Sequence, residues 1–156
     1  MSGRPFLQIP GPTLVPERIT RAMSQSIIDH RGPKFAALVH ECLVGLKGVF
    51  QTEKGQIVIY PGSGTGAWEA CLVNTLSPGD RVLACVNGHF STGFARTAAA
   101  YGIEADRLDF PYGAGVSAEQ VEQRLHEDTA HQLRAVLVVH NETSTGVTSN
   151  VAAIRA

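Results

Sequence analysis

Gln56-Ile57-Val58-Ile59-Tyr60-Pro61-Gly62-Ser63-Gly64-Thr65-Gly66-Ala67-Trp68-Glu69-Ala70-Cys71-Leu72-Val73-Asn74-Thr75-Leu76 is the stretch on which the reading of this chain turns. Ile57 to Tyr60 is a short, β-branched apolar run of the kind that forms a strand buried on both faces, and Pro61 ends it because proline has no N–H to give to a ladder. Gly62, Gly64 and Gly66 follow, so a ligand can approach the peptide N–H groups without meeting side chains. From Ala67 onward the pattern predicts a helix. Strand, glycine loop and helix N-terminus together gather unpaired N–H donors and the positive end of a helix dipole at one spot, which suits a phosphate.

Three readings of the loop stay open at this point. It is a tight strand-to-helix turn with no ligand, a dinucleotide site, or a site for a simpler phosphate ester. A nucleotide P-loop is excluded, because no Lys-Ser or Lys-Thr pair follows the glycines. Gly62 to Ala67 does satisfy G-x-G-x-x-A, but a dinucleotide site also needs an acidic residue at the end of the next strand. That predicted strand, Val82 to Val86, runs into Asn87-Gly88, and Asp80 lies before it, at the wrong end. The phosphate ester is therefore favoured over NAD or NADP.

Length and composition narrow the classes. At 156 residues and 44% hydrophobic content the chain is one ordinary domain in size, with enough apolar residues for a core. A net charge of -1, from 13 basic and 14 acidic residues spread along the sequence, gives no electrostatic basis for nucleic acid or an anionic membrane. Small molecules or another protein are the expected partners. No apolar run reaches the roughly 18 residues needed to span a bilayer, and Met1 to Leu7 lacks a signal-peptide core, so the expectation is a soluble, cytoplasmic protein. Cys42, Cys71 and Cys85 sit in apolar patterns without a C-x-x-C pair and read as small core residues. The histidines show no metal-ligand spacing, so no metal site is expected.

Along the chain, Phe6 to Thr13 is predicted extended by its prolines, and Pro16 suits the first turn of a short helix carrying Ile19, Ala22 and Met23. Residues 1–26 thus form an arm, and residues 27–156 the body. Asp29 to Pro33 is a turn, and a helix from Lys34 places Phe35, Leu38, Val39, Cys42, Leu43 and Leu46 on one face. The helix after the glycine loop is apolar nearly all round, which predicts cover on more than one side. Val82 to Val86, Ile103 to Phe110 and Ala135 to Val139 read as further strands, alternating with helices over Ser91 to Tyr101, from Ser117, and near Asn150. The alternation is that of an α/β fold, a mostly parallel sheet with helices on both faces, whose ligands collect beyond the carboxyl ends of the strands. Pro61 to Gly66, Asn87 to Phe90 and His140 to Gly146 all leave such ends. They offer a phosphate cradle, an exposed aromatic and a cluster of hydroxyls.

Five segments in this order carry a resemblance: Gly11-Pro12-Thr13 with Val15-Pro16-Glu17-Arg18, Asp29-His30-Arg31-Gly32-Pro33, Gly62-Ser63-Gly64-Thr65-Gly66, Asn87-Gly88-His89-Phe90, and His140-Asn141-Glu142-Thr143-Ser144-Thr145-Gly146. Over nearly its whole length the chain resembles the class V aminotransferases of the fold-type I pyridoxal-phosphate family, in the serine–glyoxylate and alanine–glyoxylate branch. The resemblance implies the N-terminal portion of that family's large domain, a pyridoxal 5'-phosphate cofactor, and a homodimer. It implies transfer of an amino group from a small donor such as serine or alanine to glyoxylate.

By the same resemblance, Ser63, Gly64 and Thr65 hold the cofactor phosphate, Phe90 stacks on the pyridine ring, and Thr143 bonds the phenolic oxygen with Glu142 close by. Gly11 and Pro12 line the substrate pocket. From the residues alone Thr65 is open as a helix cap and Phe90 as a partly buried core aromatic, while the Glu142–Thr145 run, a polar turn in the alternative reading, has four consecutive hydrogen-bonding side chains after a buried strand, which favour a site. The family's Schiff-base lysine, its ring-nitrogen aspartate and its carboxylate-binding arginine are expected beyond Ala156, and Lys34, Lys47 and Lys54 match no catalytic motif. The chain is thus expected to be part of a longer enzyme and inactive alone, with Ile57 to Tyr60 lacking the neighbours it pairs with in the family. A non-catalytic domain that binds a phosphate ligand or a partner, and an NAD(P)-dependent oxidoreductase domain, are the alternatives.

Overall fold

The computed structural model describes residues 7, 9 and 11–156, and divides the chain into two compact units that meet at Pro61 and Gly62. In the first unit a short helix, α1 (Glu17–Met23), is followed by a turn and the longer α2 (Pro33–Val49). The turn at Asp29 forms as expected, with Gly32 N–H donating to the Asp29 carbonyl and Arg31 N–H to the Asp29 carboxylate. Pro33 opens α2, where its missing N–H costs nothing. No described residue of this unit is buried; on the predicted apolar face of α2 Phe35, Leu38 and Cys42 are exposed, while Val39, Leu43 and Leu46 are half-buried. Of the extended reading of Phe6 to Thr13, Phe6, Gln8 and Pro10 lie outside the described residues; Gly11 and Pro12 sit in bends.

One expectation fails here. Ile57 to Tyr60 is not a strand, and Val58, Ile59 and Tyr60 are exposed. An apolar β-branched run states a need for burial, but a strand exists only where a second strand accepts its hydrogen bonds, and none of the described strands pairs with it.

The second unit holds α3 (Gly64–Thr75), β1 (Arg81–Val86), α4 (His89–Ala100), β2 (Glu104–Asp109), α5 (Ala118–Glu127), β3 (Leu133–Leu137), a two-residue hairpin β4 (Asn141–Glu142) and β5 (Val147–Thr148), and α6 (Val151–Arg155). The sheet is parallel, with β1 between β2 and β3. Its central strand is the Val82–Val86 run, every residue of which is 3% exposed or less. Alternation sends Val82, Ala84 and Val86 to one face, against Leu72 of α3 and Phe94, Ala95 and Ala98 of α4. Leu83 and Cys85 face the other way, against Val121 of α5, Phe110 and Val116. Each fully buried Val or Leu of this strand contributes about 1.5–3 kcal/mol, so β1 is the unit's hydrophobic anchor. The mostly parallel α/β class is therefore observed, with helices on both faces.

Details differ from the sequence reading. β3 lies two residues earlier than Ala135–Val139, because its register against β1 pairs Val82 with Ala135 and Ala84 with Leu137. The His140–Gly146 segment is a hairpin and not a plain loop. α3 is covered on one side only: Leu72 is buried and Trp68 and Leu76 pack on the core, while Cys71 and Val73 are exposed. Cys42 is exposed as well, so of the three cysteines only Cys85 is a core residue, with its thiol pushed up to about 12 by burial. Apolar sequence neighbours made all three look alike, and only packing separates them. Among the described residues no helix is long and apolar enough to cross a membrane.

Candidate active site

α3 and α4 run side by side in the same direction. At one end Trp68 of α3 meets Phe90 of α4 edge to face, with ring centroids 6.4 Å apart, and stacks on Phe94 at 5.0 Å. At the other end Gly79 N–H, just after α3, donates to the carbonyl of Gly102, just after α4, at 2.7 Å. Both helix N-termini, with their positive dipole ends, thus lie at the carboxyl end of the sheet.

The two termini are treated differently. α4 has glycine at its N-cap, Gly88, which offers no side-chain oxygen. Its first turn is satisfied from elsewhere: Phe90 N–H donates to Glu142 Oε1 (3.2 Å), Ser91 N–H to Glu142 Oε2 (2.9 Å), and His89 N–H to Ser144 Oγ (3.0 Å). Ser91 Oγ in turn accepts from Asn87 and Gly88 N–H. The anion place at α4 is filled by Glu142, which is 1% exposed.

α3 begins at Gly64, three residues before the predicted start, and exposes its first residues. Ser63 at its N-cap is extended and makes no side-chain cap bond. Ser63, Gly64 and Thr65 are exposed, and a methyl group added to Gly64 would meet nothing within 4 Å. Thr65 stands one turn before Trp68, at the spacing that shares a helix face. Donors of this chemistry, unshielded and at a dipole's positive end, fit the phosphate of a cofactor.

Of the residues expected at the site, the second unit carries Ser63, Gly64, Thr65, Phe90, Glu142 and Thr143. Phe90 is 39% exposed, so its ring is available for stacking, and Thr143 is exposed in the turn between Glu142 and Ser144, both bonded to the first turn of α4. Contacts run from the first two turns of α3 through Trp68 to Phe90, and from Phe90 to the Glu142–Ser144 turn. Gly11 and Pro12 belong to the first unit and are exposed there.

Two residues were missed in their site roles. Trp68 read only as part of an apolar helix, yet its ring abuts Phe90; its size one turn beyond a glycine loop was the available signal. Gly88 read as loop, and its lack of a side chain before a helix start was the clue to a cap from another segment. Electrostatically, burial pushes the Glu142 carboxyl up, but hydrogen bonds from the Ser144 hydroxyl and from the N–H groups of Ser91, Phe90 and Ser144 outweigh it. The result is a carboxyl at about 2. The acid that a dinucleotide would need is not at the end of β1; Asp80 precedes the strand, where its carboxylate accepts from Ser77 N–H at 2.7 Å.

A parallel sheet with an exposed helix N-terminus, an aromatic platform and a hydroxyl turn at its carboxyl end is the architecture of the fold-type I transferases. No protein-family model matches the chain. The chain is 44% identical over 147 residues to the L-aspartate–glyoxylate aminotransferase of Paracoccus denitrificans, covering 94% of this chain and 37% of that protein. It is 43% identical over 153 residues to the serine–glyoxylate aminotransferase of Methylorubrum extorquens, covering 98% and 38%. The solved structure of an alanine–glyoxylate aminotransferase from Nostoc sp. superposes with a TM-score of 0.78 at 34% identity, over 90% of this chain and 37% of that one. Over nearly its whole length the chain is similar to glyoxylate aminotransferases, and it spans less than two-fifths of the length of these relatives.

Proposed function

We propose that this chain forms the phosphate- and ring-holding part of a pyridoxal 5'-phosphate-dependent aminotransferase that passes an amino group from a small amino acid, serine or alanine, to glyoxylate. The observation that carries the proposal is the pairing of two parallel helix N-termini, one filled by Glu142 and the other exposing Ser63, Gly64 and Thr65 one turn from Trp68, which abuts Phe90. Ser63, Gly64 and Thr65 would hold the phosphate with backbone N–H groups and the Thr65 hydroxyl, Phe90 would bear the pyridine ring, and Thr143 would meet its phenolic oxygen. When bound, pyridoxal 5'-phosphate supplies the electron sink into which the donor's α-carbon releases its proton's electron pair. The chain's own part is to fix that ring: phosphate at one end, aromatic face beneath, hydroxyl at the edge.

The named relatives support glyoxylate as acceptor, and their donors, aspartate, serine and alanine, bracket the small amino acids. The three lysines, Lys34, Lys47 and Lys54, all lie in the first unit, so none stands on the elements that build the site. A second copy of the protein belongs to the same reading, as the resemblance implies.

Binding is tested with pyridoxine 5'-phosphate, which has the ring and the phosphate but no aldehyde and so cannot label lysines at random. Trp68, the only tryptophan, should report saturable binding of this probe, competed by inorganic phosphate and not by NAD. Binding of NAD in its place would overturn the proposal in favour of an oxidoreductase domain. Activity is tested on the protein as its source cell makes it, by offering serine, alanine and aspartate with glyoxylate and following glycine formation.

A further inference from the structure

We propose that Glu142 is a positioning residue: its buried carboxylate replaces the N-cap side chain that Gly88 lacks and ties Phe90 and Thr143 to one anchor, without touching the cofactor itself. The inference rests on the cofactor reading above and assigns a task within that site.

Three observations carry it. First, the carboxylate is buried and bonded at both oxygens. Oε1 accepts from Phe90 N–H, Ser144 N–H (3.2 Å) and Ser144 Oγ (2.7 Å), and Oε2 from Ser91 N–H and Ser91 Oγ (3.0 Å). A carboxylate offers about four acceptor positions; these donors crowd it, the Ser91 hydroxyl sharing its one proton with the Gly88 carbonyl (3.1 Å), and at 1% exposure Glu142 presents no face to a ligand. Second, the donors come from two segments far apart in sequence, the first turn of α4 and the β4–β5 turn, and those segments hold Phe90 and Thr143. The Glu142 carbonyl also accepts from Thr145 and Gly146 N–H, closing the turn around Thr143. Third, Gly88 has no side chain where one would collide with Glu142: an added methyl group would lie 2.3 Å from Cγ. Cap, platform and hydroxyl turn are therefore one bonded assembly, and the helix terminus that Glu142 fills is withheld from the phosphate.

The test is Glu142→Gln in the full chain, which keeps the shape and removes the charge and one acceptor oxygen. Two ligands are titrated, inorganic phosphate followed by the amide signals of Gly64 and Thr65, and pyridoxine 5'-phosphate followed by Trp68 emission and by circular dichroism of the bound ring. Phosphate affinity should stay within about twofold, pyridoxine 5'-phosphate affinity should fall by about tenfold or more, and the ring's circular dichroism should weaken. Amide exchange at Phe90, Ser91 and Ser144 should quicken while β1 stays protected.

Equal losses for both ligands would mark a merely structural role and overturn the proposal, as would unchanged ring affinity. Unchanged exchange at those three amides would overturn it without reference to any ligand. A wild-type chain that gains nothing from the ring over bare phosphate would instead overturn the cofactor reading, a result distinct from the others. Should Glu142→Gln not fold, Ser144→Ala removes one hydroxyl from the same carboxylate and must give the same split at smaller amplitude; no split there overturns the proposal.

Discussion

Glu142 lies so close to the α-carbon of Gly88 that a methyl group placed there would be 2.3 Å from its Cγ and 2.4 Å from its Cδ. The φ of Gly88 is 178°, extended backbone open to any residue, so glycine is required here by space alone. Gly88→Ala must displace Glu142 and with it the bonds to Phe90, Ser91 and Ser144. The expected loss is about 2–4 kcal/mol of stability by urea denaturation. In a Glu142→Ala background most of that loss should vanish, since the obstacle has gone. A double-mutant cycle with no coupling would refute the contact.

Acid should dissolve the same assembly. The Glu142 carboxyl falls from 4.5 to about 2 on folding, so its bonds stabilise the protein fully above pH 4.5, and the contribution disappears as pH drops through about 2. The shift corresponds to on the order of 3 kcal/mol. Glu119 and Asp128 are lowered too, Glu119 by the Ser117 hydroxyl and Asp128 by the N–H groups of Leu133 and Gln132, so part of any acid loss is theirs. Comparing urea midpoints of wild type and Glu142→Gln between pH 5 and pH 2 isolates the Glu142 share: the wild-type curve should fall more steeply. Parallel curves would contradict the assignment.

At Gly64 stability and binding should separate. An added methyl group meets nothing within 4 Å, and the position is the first of α3, so Gly64→Ala should leave stability unchanged or raise it by up to about 1 kcal/mol. The same methyl group would stand beside the N–H donors meant for phosphate, and affinity for pyridoxine 5'-phosphate should fall by about tenfold. Thermal unfolding and Trp68 titration on one sample settle both halves.

The opposite end of the sheet supplies a control. Asp106 on β2 pairs with Arg124 of α5 and lies 3.6 Å from the Arg81 guanidinium. These charges are partly exposed, so Asp106→Asn should cost only about 1 kcal/mol, less in high salt, and should leave ligand affinity unchanged. A change in affinity would mean that the two ends of the unit are coupled.

What the sequence disclosed follows from what is local. Val82 to Val86 is continuously apolar and β-branched in part, and it is the central strand because such a run must be covered on both faces. Gly102, at a φ of 75°, ends α4 where a left-handed residue was needed. The failures involve partners that lie far away along the chain. Ile57 to Tyr60 carries the signature of a buried strand, yet pairing is not written in the strand itself. Glu142 seemed one polar residue in a polar turn, because a carboxylate that caps Phe90 and Ser91, 52 and 51 residues upstream, leaves no periodic trace. The glycine loop around Ser63, Gly64 and Thr65 and the aromatic Phe90 stood out in the sequence because glycine spacing and an aromatic after a strand are local features.

The central claim is that the exposed terminus of α3, the face of Phe90 and the Thr143 turn receive one ligand together. The most direct measurement is a nuclear magnetic resonance titration of the full chain with pyridoxine 5'-phosphate, following assigned amides. Gly64, Thr65, Phe90 and Thr143 should shift along one saturation curve with a single dissociation constant, while Arg124 and Asp106 stay still. Shifts confined to the first two, or saturating at different concentrations, would contradict it.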